Sequence, residues 1–149
     1  MRKKHYNLLV IPAMMIIVFS LFSGFTNKST QDVAKDLMRQ RTSIIQNTYY
    51  HHISEEEGKK QLAKIEVGDL LNRDIRGLET WKDGEFEWIE AMDFETIEIT
   101  KENKGYTCYD VSIHWQIRGE EKRYATAYKY NVVLKETVGE QKLSVFEPL

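Results

Sequence analysis

Residues 106–134, YTCYDVSIHWQIRGEEKRYATAYKYNVVL, decide the fold. In the first half Tyr109, Val111, Ile113, Trp115 and Ile117 alternate with Asp110, Ser112, His114, Gln116 and Arg118, the period of two that marks a strand with one buried face. In the second half Tyr124, Thr126, Tyr128, Tyr130, Val132 and Leu134 share one face, with small or polar residues between them. β-branched and aromatic residues suit a pleated, half-buried surface. The two arms form an antiparallel hairpin, closed either by a two-residue turn at Gly119-Glu120 or by a loop reaching Lys122. Parity puts the single cysteine, Cys108, on the face opposite Tyr109 and Val111. With one cysteine there is no internal disulfide and no paired-cysteine metal or redox motif.

The flanking segments complete an α+β layout. Upstream, Ser29 or Thr30 caps a helix with Asp32 in its first turn and with Val33, Leu37, Met38, Ile44, Ile45 and Tyr49 at helical spacing, ending near Ile53. Ser54-Glu55-Glu56-Glu57 reads as a capping box, in which serine serves the backbone of Glu57 and the glutamate returns the bond. That second helix runs through Leu62 and Ile65 to Val67. Gly68 stops it, and Asp69 caps a third helix whose stripe holds Leu70, Leu71, Asp74, Ile75 and Leu78. After the turn at Lys82-Asp83-Gly84, the stretch from Phe86 to Thr100 is a strand whose apolar phase slips between Phe94 and Ile97, which implies a bulge. Turns at Asn103-Lys104-Gly105 and Val138-Gly139 lead into the hairpin and out to a last strand, with Leu143 and Val145 inward and Pro148 closing the chain. The expectation is two or three helices packed on a curved antiparallel sheet of about four strands.

The N-terminus has a different character. Arg2, Lys3 and Lys4 precede an uncharged run, Leu8 to Phe25, the pattern of an export signal. As a helix those residues span roughly 27 Å, close to a hydrocarbon core of about 30 Å. Their leucine, isoleucine, valine and phenylalanine outweigh Pro12, Ser20, Ser23 and Gly24 on an insertion scale. Residues 1–26 thus read as a signal anchor or signal peptide and residues 29–149 as an extracytoplasmic domain. The basic flank keeps the N-terminus inside and the domain outside, single-pass, or secreted if the segment is cleaved at Gly24-Phe25-Thr26. No cysteine follows the apolar run, which excludes a lipobox anchor.

Charge narrows the partners. The chain carries 21 basic and 23 acidic residues, a net of -2; without Arg2, Lys3 and Lys4 the basic residues number 18 and the net is -5. A mildly acidic domain argues against nucleic acid. Between Glu79 and Glu98 eight acids face one base, Lys82, and they interleave with Trp81, Phe86, Trp88 and Phe94. Glu85, Glu87, Trp88 and Glu90 are therefore the candidate docking residues for a basic protein partner. A charged outer face that keeps an edge strand from pairing explains the same pattern. The alternative site is a small-molecule pocket lined by Tyr109, Trp115, Tyr128 and Tyr130.

Catalytic and metal constellations are weak. His51-His52 followed by Glu55, Glu56 and Glu57 has ligand-like residues, but histidine at a helix end and glutamate in the next first turn are what the two helix dipoles favour. No metal and no cofactor is expected. Asp110, Ser112 and His114 share a strand face, yet the histidine does not lie between the other two and no oxyanion donor marks the place. Helices first, then a tyrosine- and tryptophan-rich meander, make residues 29–149 resemble the NTF2-like and cystatin-like α+β folds, in particular small membrane-anchored members from Gram-positive bacteria. The resemblance is one of layout, so it implies the fold and carries over no functional residue. The anchor, the short tether after it and the absence of catalytic signatures point to a non-enzymatic interaction domain held outside the membrane. A ligand-binding or enzymatic pocket domain and an assembly subunit of a secretion or conjugation complex are the alternatives.

Overall fold

The computed structural model describes residues 28–80 and 87–149. Three helices precede four strands: α1 (Thr30–Tyr49), α2 (Glu55–Ile65), α3 (Gly68–Thr80), β1 (Trp88–Asn103), β2 (Tyr106–Arg118), β3 (Arg123–Thr137) and β4 (Glu140–Pro148). The strands form one antiparallel sheet in the order β1-β2-β3-β4, and the helices cover one of its faces, their backbones coming nearest to β1 and β4. This is the expected α+β architecture. The apolar run Leu8 to Phe25 lies outside the described residues, among which no helix is long and apolar enough to cross a membrane.

Each helix boundary has a chemical cause. Ser29 caps α1, its hydroxyl accepting from Asp32 N at 3.1 Å. The helix ends at Tyr49, four residues before the expected Ile53, because His51 adopts a left-handed conformation (φ 56°). His51 N then donates to Thr48 O at 3.1 Å and His52 N to Asn47 O at 2.8 Å, the paired bonds that close a helix C-terminus. Ser54 caps α2 by accepting from Glu57 N at 3.2 Å. The reciprocal half of the capping box is not made by Glu57, whose carboxylate accepts from Gln61 Nε2 at 2.8 Å instead. The second helix stops at Ile65, and Glu66 is already extended.

In the sheet the β2–β3 loop is the longer of the two alternatives: Arg118 pairs with Arg123, and Gly119 N donates to Lys122 O at 3.0 Å. Tyr109 thus faces Val132, and Ile113 faces Tyr128. Cys108 is half-buried on the opposite face. The phase slip before Ile97 is a bulge at Glu95, and two further bulges fall at Glu90 and Thr100. β4 corrects an expectation. Val133 pairs with Val145 and Leu134 with Leu143, so Ser144 is an extra residue, and Phe146 rather than Val145 joins Leu143 in the core. Val138 and Gly139 both have positive φ, the mirror-image two-residue turn that suits strand twist. The core joins Tyr109, Val111, Ile113, Val132, Leu134 and Leu143 to Met38, Leu62, Ile65 and Leu70, with Tyr109, Ile113 and Leu62 wholly buried.

Candidate functional site

The bulges raise the acid density on the sheet's open face. Each inserts one residue without moving its neighbours to the wrong side, so Glu90 and Glu95 stand beside Asp93 and Glu98 rather than turning toward the helices. Much of this charge is met inside the sheet. Glu90 lies 3.1 Å from Arg123 and 3.7 Å from Arg118. Glu95 lies 3.2 Å from His114 Nε2, and Asp93 accepts from Gln116 Nε2 at 3.0 Å. Glu87 accepts from the Tyr124 hydroxyl, and this bond holds that phenol above its ordinary value. Trp88 is half-buried and edge-on to Tyr50, with ring centres 4.8 Å apart. Glu85 lies outside the described residues. Glu98 pairs in register with Asp110, carboxylate against carboxylate, and neither forms an ion pair among the described residues.

The four aromatic candidates do not line a common hollow. Tyr109 is wholly buried and Trp115 is 7% exposed. The Trp115 indole donates to the Tyr130 hydroxyl at 3.0 Å, and Tyr130 stacks on Phe146 at 4.6 Å. Burial raises the Tyr130 phenol pKa. Tyr128 stands apart at 55% exposure. A cleft of about 790 Å³ lies between α3 and β4, bordered by Gly68, Asp69, Arg73, Arg76, Lys135 and Glu147. A shallower one of about 470 Å³ is bordered by Glu90, Asp93, His114, Gln116, Arg123 and Ala125. None of the four aromatics lines either cleft.

The other sequence constellations come apart in space. His51 and His52 terminate α1, with His52 Nδ1 3.4 Å from Asn47 Oδ1. No group of three or more histidine, cysteine, aspartate or glutamate side chains is placed to hold a metal among the described residues. His114 turns to Glu95 rather than toward Ser112 and Asp110, so no nucleophile–base pair forms.

Sequence reasoning missed a buried ionic cluster. Glu66 is fully buried and Asp74 nearly so, and both lie on Arg41: Nε to Glu66 Oε1 at 3.1 Å and Nη2 to Asp74 Oδ2 at 2.6 Å. Arg41 also sits over the Phe146 ring, 4.9 Å from its centre. Neither carboxylate oxygen of Glu66 makes a hydrogen bond of good geometry. Burial, then the Asp74 charge, pushes the Glu66 carboxyl up to about 8, against the pull of Arg41. The signal was present in the sequence, since Asp74 falls on the apolar stripe of α3 and Arg41 on that of α1. Glu66, Arg41 and Asp74 line neither of these two clefts, and the cluster fastens α1, the α2–α3 junction and β4 together. Val67 N donating to Leu143 O at 2.9 Å reinforces the same joint.

No protein-family model matches the chain, and no curated protein matches it. Among solved structures it is similar to a de novo designed β-sheet protein determined by NMR, at 13% identity over 80% of this chain and 89% of that one, with a TM-score of 0.33. A likeness of that size carries no argument about fold family or function.

Proposed function

We propose that the chain is a non-enzymatic interaction domain, held outside the membrane by Leu8 to Phe25, that takes a basic protein partner on the open face of its sheet. The element order, three helices before a four-strand meander, supports a relation to the NTF2-like and cystatin-like folds. The observation that carries the reading is Glu98 opposite Asp110. Like charges directly across two strands are destabilising, and a base from a partner offsets them. Glu90 and Glu87 are already engaged by Arg118, Arg123 and Tyr124. Among the described residues the available charge is therefore centred on Glu98 and Asp110, further along β1 than Glu87, Trp88 and Glu90.

Binding of a lysine-rich probe peptide to the full chain tests this. Binding should weaken as salt rises past roughly 0.15 M, where exposed charges are screened beyond about 8 Å. Glu98→Lys with Asp110→Lys should abolish it, while Glu90→Lys should reduce it little. Salt-independent binding, or equal losses for the two variants, rejects the surface. A reporter active only outside the cytoplasm, fused after Leu149, should be active; activity of a cytoplasmic reporter alone rejects the location.

A further inference from the structure

β3 is longer than the strand that covers it. β4 ends at Pro148, opposite Tyr130, and Leu149 N makes the last bond to β3, donating to Lys129 O at 2.9 Å. β3 continues beyond that point from Tyr128 back to Arg123, paired with β2 on one side and, among the described residues, with no strand on the other. In an antiparallel ladder the N–H and C=O of one residue point to the same side, and successive residues alternate. Lys129 faces the side of β4, so Ala127 and Ala125 face it too, while Tyr128, Thr126 and Tyr124 bond to β2. Two N–H groups and two C=O groups therefore stand in line on an open edge, on exposed alanines.

The sheet's other edges are protected. β1 carries three bulges and a row of acids, the Gln46 side chain occupies both backbone groups of Ile89, and Gln31 Nε2 donates to Ile97 O at 3.3 Å. On β4, Val67 N takes Leu143 O at 2.9 Å and Arg73 Nη2 takes Phe146 O at 3.0 Å. These are the means by which natural sheets prevent strand addition. The stretch Arg123–Tyr128 has no bulge, proline, glycine or inward-pointing charge. Its inner side presents Tyr124, Thr126 and the 55%-exposed Tyr128. Its outer side presents Arg123, Ala125, Ala127 and Lys129: two small residues that let a neighbour approach, between Arg123, already met by Glu90 at 3.1 Å, and Lys129, which has no ion pair among the described residues.

We propose that Arg123–Lys129 is a strand-addition site for an extended segment of another protein, apolar where it meets Tyr124 and Tyr128 and carrying a carboxylate where it meets Lys129, with Arg123 shared between Glu90 and the segment. Backbone hydrogen bonds from Ala125 and Ala127 supply affinity, and the alternating side chains supply selectivity. For a second copy, the register centred on Thr126, which would use the whole open stretch, sets Arg123 against Lys129 at both ends, like charge on like charge. This edge is separate from the Glu98 and Asp110 surface, and neither reading depends on the other.

The test uses the full chain in detergent with a synthetic heptapeptide alternating glutamate and valine. The peptide should slow hydrogen exchange at the Ala125 and Ala127 amides by about tenfold or more and leave the amides of Tyr124 and Tyr128, already bonded to β2, unchanged. N-methylation of alternate peptide nitrogens, or lysine in place of glutamate, should weaken binding by about tenfold or more. Ala127→Pro removes one open donor and no bond to β2, and should weaken binding similarly. If that variant does not fold, Lys129→Glu serves, weakening the glutamate peptide and strengthening the lysine peptide. Binding that survives N-methylation, or no protection at Ala125 and Ala127, overturns the proposal. So does protection that grows with protein concentration alone, which would identify the occupant as a second copy.

Discussion

Glu66 and Arg41 meet at 3.1 Å, the carboxyl shut off from solvent and the guanidinium 15% exposed. With Asp74 on the same guanidinium, two carboxyl groups share one base in a dry joint. The arrangement is cheapest when Glu66 keeps its proton, which is why its pKa stands at about 8 against an ordinary 4.5. Folded protein then binds this proton more tightly than unfolded chain. The stabilisation is complete below about pH 4.5, declines as pH rises toward 8, and is gone above it. The limiting slope is about 1.4 kcal/mol per pH unit. Glu66→Gln, neutral and nearly the same shape, should remove this decline, so wild type and variant should diverge in melting temperature between pH 5 and 8. Parallel pH profiles for the two would reject the protonated carboxyl.

This joint marks the boundary of what the sequence made legible. The helices and the hairpin follow from periodicity, because a stripe at 3.6 or an alternation at 2 is local. Ser29 and Ser54 announced their caps for the same reason. A bulge shows in sequence only as a phase slip, visible at Glu95 where Phe94 and Ile97 flank it, and hidden at Thr100 and Ser144. The pairing of Glu90 with Arg123 and of Glu98 with Asp110 depends on register, which those bulges reset. Arg41 and Asp74 on apolar stripes were out of place, yet nothing local says that they meet. The open edge at Arg123–Tyr128 follows from β3 outrunning β4, a difference in strand length that periodicity does not measure.

Gln46 stands in for a neighbouring strand. Its buried amide accepts from Ile89 N at 2.8 Å and donates to Ile89 O at 3.1 Å, closing the start of the β1 edge. Gln46→Leu keeps the volume and orphans both backbone groups, at a cost of about 1–3 kcal/mol. Denaturant titration measures the loss, and faster exchange at the Ile89 amide locates it. A loss with the Ile89 amide still protected would mean that the side chain acts through packing alone.

Gly58 on α2 is packed against Thr48 on α1. A methyl group there would collide with the Thr48 side chain, whose hydroxyl is spent on Ile44 O at 2.8 Å. Although alanine is the better helix former, Gly58→Ala should cost about 1–3 kcal/mol through overpacking. Adding Thr48→Ala removes the colliding atoms, so the double variant should be more stable than Gly58→Ala alone. Additive losses in the double-mutant cycle would mean that the two helices separate rather than clash.

Trp115 and His114 are neighbours in sequence on opposite faces of β2, and the whole face assignment rests on their difference. Trp115 is 7% exposed, edge-on to Tyr130 at 6.1 Å, and spends its indole N–H on the Tyr130 hydroxyl. Trp115→Ala removes a large buried ring and orphans a half-buried phenol, so the expected loss is about 3–5 kcal/mol. Trp115→Phe keeps most of the area and loses the hydrogen bond, so it should retain more than half of that stability. His114 is exposed, and its ring meets the exposed Glu95. His114→Ala should stay within about 0.5 kcal/mol of wild type. Chemical denaturation of the three variants ranks them directly. If His114→Ala matched Trp115→Ala, the sheet would present its other face to the helices, and the register that places Glu98 opposite Asp110 and leaves Ala125 and Ala127 on an open edge would fall with it.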